Sequence, residues 1–148
     1  MTAPRDFLVI GYGNTLRSDD GVGPRVAEAV AALNLPGVNT LVCQQLSPEH
    51  AEPISRACTV IFVDAAVDTP REVQLRKLEP ADTTQLMAHA ADPRTMLALA
   101  RDIFGHAPRA WWLTIPIRNI EIGEKISETA ERGLAEAVEA VRNMCKSS

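Results

Sequence analysis

The chain has 148 residues, 46% hydrophobic and 23% charged, the balance of a single soluble globular domain with one core. A net charge of -4, with the 15 lysines and arginines scattered along the chain, argues against a general nucleic-acid surface, so neither DNA nor RNA is expected as a partner. Three cysteines, Cys43, Cys58 and Cys145, have no CxxC spacing to suggest a disulfide framework or zinc cluster, and no apolar run is long enough to span a bilayer.

Phe7 to Ile10 is a short β-favouring apolar run that stops at Gly11 and Gly13 and is followed by Asp19 and Asp20 just ahead of a helical pattern. Because that run is brief and gives way to glycines and charges, it does not read as a signal segment, and a cytoplasmic protein is expected. A helix begins near Gly21, with Val22, Val26, Ala29, Val30 and Leu33 at helical spacing, and ends at Asn34-Leu35-Pro36-Gly37. A second strand is expected over Asn39 to Cys43. Ser47-Pro48-Glu49 has the pattern of an N-cap, a first-turn proline and an acid, opening a short helix to about Ala57.

Thr59 to Val63 is a continuous apolar strand of the kind buried on both faces, and it runs into Asp64. The four residues Asp68 to Arg71 are too few for a crossover, so Glu72 to Leu78 is expected to return antiparallel as a half-exposed edge strand. Glu79 to Ala91 is irregular and carries His89. Asp92-Pro93 then opens a helix with Met96, Leu97, Ala100, Ile103 and Phe104 on one face and Gly105 as its stop. Ala110 to Ile115 is a further strand, ended by Pro116, and Ser127 caps a last amphipathic helix to about Met144. The sum is a three-layer α/β/α domain around a mostly parallel, twisted sheet of about five strands.

The glycine pair after the first strand invites comparison with a dinucleotide fingerprint, and the comparison fails. The third glycine would fall at Leu16, the second strand ends in Gln44 and Gln45 with no acid for a ribose, and two carboxylates occupy the place of a phosphate. A loop that presents carboxylates suits a cation, although one of the two acids is expected only to cap the helix. In a parallel sheet the loop carrying Asp20 and the end of the third strand carrying Asp64 meet at one edge, where α/β proteins bind ligands. His89, in the irregular segment, could close over that edge. No GxSxG nucleophile elbow is present.

Gly11-Tyr12-Gly13-Asn14, Leu16, Asp19-Asp20-Gly21 and Gly23 together resemble the N-terminal motif of the nickel-iron hydrogenase maturation endopeptidases. The likeness runs through nearly the whole chain in element order, including Val63-Asp64-Ala65 and a histidine followed by the Met96-Leu97 helix. It implies a peptidase that removes a C-terminal extension from a hydrogenase large-subunit precursor once nickel has been inserted. The implied nickel ligands are Asp20, Asp64 and His89, with Asp20 and Asp64 as the catalytic acids. Gly13, Asn14 and Asp19 are the implied substrate contacts. Either a carboxylate acts as base toward water or the substrate-borne nickel polarises the carbonyl. Many members have Asp-Gly-Gly-Thr after the second strand where this chain has Cys43-Gln44-Gln45-Leu46, and Ala90 to Pro93 is more polar than usual. Those departures bear on which hydrogenase is the partner.

Two other classes fit the residues less well. One is a metal-sensing or ligand-binding α/β module that hydrolyses nothing; the other is a nucleotide or nucleoside enzyme on a similar scaffold, which lacks a phosphate loop.

Overall fold

A computed structural model of the chain describes residues 6–66, 72–82, 92–118, 122–123 and 125–147. Five strands form one sheet in the order β2-β1-β3-β5-β4. These are β1 (Phe7–Tyr12), β2 (Val38–Cys43), β3 (Thr59–Ala66), β4 (Gln74–Leu78) and β5 (Arg109–Pro116). The helices are α1 (Val22–Ala32), α2 (Ala51–Ser55), α3 (Pro93–Phe104) and α4 (Glu128–Ser147). β1, β2, β3 and β5 run parallel and β4 antiparallel, as a mostly parallel α/β/α sandwich requires.

Alternation along the strands divides the core in two. Phe7, Val9, Ile61, Val63, Leu113 and Ile115 pack with residues of α1 and α4. Leu8, Ile10, Val60, Phe62 and Ala110 pack with Ile54 of α2 and Met96, Leu97 and Ala100 of α3. Val60 to Val63 are all 0% exposed, and each large side chain so buried contributes roughly 1.5–3 kcal/mol of transfer free energy. That explains why β3 takes the centre of the sheet.

The same burial pattern decides where the edge strand pairs. β4 is antiparallel and lies at an edge, but its partner is β5, with Gln74 opposite Thr114 and Leu78 opposite Ala110. Both sides of β3 are taken by the apolar β1 and β5, which leaves the half-polar β4 outermost. β3 also continues three residues beyond Val63, so Asp64 lies within the strand and not on a loop after it. The helix expected over Ser47 to Ala57 is a 3-10 turn, Pro48–His50, followed by the short α2. His50 Nδ1 accepts the Ser47 amide at 2.9 Å and ties the turn together.

On α3, Asp92 caps the helix by accepting the Arg94 amide at 2.8 Å, and Gly105 closes it in the left-handed region at φ 84. Met96, Leu97 and Ala100 are buried as expected, but Ile103 and Phe104 are 64% and 46% exposed. The apolar stripe therefore runs one turn past the surface that covers it.

Candidate active site

The loop after β1 is shaped by close backbone approaches. A Cβ on Gly23 would lie 2.6 Å from the carbonyl oxygens of both Tyr12 and Val63, so only glycine lets the first turn of α1 sit on β1 and β3. Gly13 has φ 148, and a Cβ there would run into the Asp20 carbonyl oxygen. The loop is thereby folded back on the turn Ser18–Gly21 that carries both acids. The Asn14 amide donates to Asp20 Oδ2 at 2.8 Å, while Asn14 Oδ1 accepts the Leu16 amide at 2.9 Å. These bonds fix the half-buried Asp20 carboxylate by one oxygen.

Asp19 has a different environment. It is 0% exposed, and its carboxylate accepts the amide of Arg118 at 2.9 Å and both the amide and the hydroxyl of Ser127, at 2.6 and 2.7 Å. The resemblance implies Asp19 as a substrate contact; in the structure its fully buried oxygens accept from the backbone ahead of α4. Of the two neighbouring acids, Asp19 is the structural one, and it serves the last helix instead of the first.

Asp64 emerges near the end of β3 opposite Thr114. It shares the α2 and α3 face of the sheet with Tyr12 and Trp112, both of which pack against that half of the core. Burial, aided by the negative charge of Asp20, lifts the Asp64 carboxyl from its ordinary 3.8 to about 6. The Tyr12 hydroxyl, the Ala65 amide and the Trp112 indole oppose that rise by favouring the ionised form. Burial first, and then the Asp64 charge, push the Tyr12 hydroxyl far above its usual range, so it stays protonated.

The fold thus brings Asp20 and Asp64 into electrostatic contact at the carboxyl edge of the parallel strands. Carboxylates are hard oxygen donors of the kind divalent cations take, and nickel would need a further, softer ligand beside them. Among the described residues no group of three or more His, Cys, Asp or Glu is assembled for a metal, and His89 lies outside the described residues. Beside the loop, Gly13, Asn14, Thr15, Leu16, Pro24, Val42, Cys43 and Gln44 line a cavity of about 350 Å³. Gly13 and Asn14 are thus placed at a concave surface next to Asp20. Tyr12 and Trp112 were not foreseen; strand parity with Asp64 is the signal that marks them.

Comparison with solved structures bears on this arrangement. The hydrogenase maturating endopeptidase HybD from E. coli superposes with a TM-score of 0.75 at 20% identity, over 95% of this chain and 92% of that one. The fold is that of the hydrogenase maturation endopeptidases. A hydrogenase 2 maturation peptidase from a Thaumarchaeota archaeon gives 0.70 at 24% identity, over 95% and 97%. The [NiFe] hydrogenase maturation protease HybD from Thermococcus kodakarensis gives 0.71 at 23%, over 94% and 98%. No protein-family model and no curated protein matches the sequence.

Proposed function

We propose that this chain is a processing endopeptidase that cleaves the C-terminal extension from a nickel-iron hydrogenase large-subunit precursor after nickel insertion. The observation that carries the reading is the convergence of Asp20 and Asp64, from two strands, at the carboxyl edge of a sheet with the hydrogenase maturation endopeptidase fold. Asp20, Asp64 and His89 are the proposed contacts to the precursor's nickel. An empty precursor lacks that contact, so recognition through the metal would act as a checkpoint on maturation. Gly13 and Asn14, at the cavity beside Asp20, are the proposed contacts to the peptide.

Asp64 is suited to act as base toward water, because a carboxyl lifted to about 6 is ionised at neutral pH yet more basic than an ordinary aspartate. Lewis-acid polarisation of the scissile carbonyl by the precursor's nickel is the companion route, and the two can act on one bond. Among the described residues no helix is long and apolar enough to cross a membrane; action on the precursor in the cytoplasm is part of the proposal. Incubation with precursor with and without nickel tests the reading: cleavage of the loaded form alone supports it. Binding without cleavage would favour a sensing module.

A further inference from the structure

On the α4 face of the sheet, a second cavity of about 270 Å³ opens at the carboxyl end of β5. Its floor is formed by Val73, Pro116 and Gly133. A Cβ on Gly133 would lie 2.5 Å from Ile115 Cγ2, so this glycine lets α4 sit close on β5 and shapes the floor. The rim is charged. Arg118, just past β5, and Arg132, on α4, reach it from different elements, and Thr129 and Glu136 complete the wall. Both arginines are exposed, and among the described residues neither guanidinium has an ion pair or a hydrogen-bonded partner. In a chain of net charge -4, two unpaired cations thus face one acid across a concave surface.

We propose that this cavity takes a carboxylate of the precursor's C-terminal extension, with Arg118 and Arg132 as its binding residues; the inference rests on the reading of the chain as a processing endopeptidase. A guanidinium presents a planar fork of N–H donors that matches a carboxylate, and two forks without a partner leave those donors to a ligand. The cavity also adjoins the candidate active site. The Arg118 amide donates to Asp19 at 2.9 Å, and Asp19 precedes Asp20 in the same turn, so one short connection joins the cavity to the acid. Its volume is that of roughly nine liquid waters, room for a residue that bears a carboxyl group. Glu136 repels anions and leaves the rim with one net positive charge, which suits a singly charged carboxylate better than a phosphate.

The test measures, by fluorescence anisotropy, binding of a labelled synthetic peptide of the precursor's C-terminal extension to wild type, to Arg118→Gln/Arg132→Gln and to Glu136→Gln. The double variant is expected to bind about tenfold more weakly and Glu136→Gln about threefold more tightly. All three proteins should melt alike, because the altered side chains are exposed. A peptide ending in an amide separates two sources of the carboxylate: weaker binding assigns the terminal one, and unchanged binding that falls when acidic side chains become amides assigns one of those. Equal binding of a peptide with every carboxylate neutralised would overturn the proposal, as would wild-type affinity in the double variant or no binding to wild type. Cleavage keeps the two readings apart. On nickel-loaded precursor the double variant should act on KM, by about tenfold, and not on kcat. If wild type leaves that precursor uncut yet binds the peptide through its carboxylate, the peptidase reading fails and the carboxylate site stands.

Discussion

Asp19 and Ser127, 108 residues apart, are joined by two hydrogen bonds: the Ser127 amide to Asp19 Oδ1 at 2.6 Å and the Ser127 hydroxyl to Asp19 Oδ2 at 2.7 Å. The same hydroxyl accepts the Ala130 amide at 3.2 Å, so the turn before α1 and the start of α4 are tied through one carboxylate. Asp19→Ala would strand two part-buried amides and a hydroxyl, and is expected to lower unfolding free energy by about 2 kcal/mol or more. Asp20→Asn keeps an acceptor for the Asn14 amide and is expected to change stability by less than about 1 kcal/mol. Urea denaturation of the two variants checks the division of labour between these adjacent acids.

Asp64 gives stability a pH dependence of defined sign. Its folded-state carboxyl, at about 6, holds a proton more tightly than the unfolded chain, at 3.8, so its contribution declines as pH rises from about 3.8 to about 6 and is level above that. Integrated over that window, the ionised group costs up to about 3 kcal/mol at neutral pH. Asp64→Asn should therefore be more stable than wild type at pH 7, with the difference vanishing toward pH 4. Melting temperatures of both proteins across pH 4 to 7.5 measure it.

Order and type of elements were legible in the sequence because apolar periodicity, the Asp92-Pro93 cap and the Gly105 stop are local signals. The partner of β4 was not, since strand pairing depends on which neighbours already flank β3. For the site, Asp20 and Asp64 could be brought to one edge by parallel-strand logic alone. What separates Asp19 from Asp20 could not be read locally: Asp19 finds its donors at Arg118 and Ser127, far along the chain. Tyr12 and Trp112 were likewise hidden, because their meeting with Asp64 depends on the register among three strands.

Gly23 and Gly105 should respond differently to alanine. A Cβ at Gly23 meets two carbonyl oxygens at 2.6 Å that belong to central strands and cannot retreat, so Gly23→Ala should cost about 2 kcal/mol or more. At Gly105 nothing lies within 4 Å, and only the left-handed backbone at φ 84 opposes the change, for about 1 kcal/mol. Chemical denaturation of both variants provides the comparison.

His89 is proposed as a nickel contact, so His89→Ala should lose most activity near neutral pH while remaining folded. Single-turnover rates of both proteins test this; a mutant rate equal to wild type removes His89 from the site.

Asp20 and Asp64 are proposed to act together in cutting a nickel-loaded precursor. The most direct measurement is intact-mass analysis of a nickel-loaded hydrogenase large-subunit precursor incubated with wild type, Asp20→Asn or Asp64→Asn, each first shown to be folded. The account predicts loss of a C-terminal fragment with wild type and a rate at least about a hundredfold lower with either variant, as expected when a catalytic acid is removed. Wild-type cleavage by both variants would contradict it.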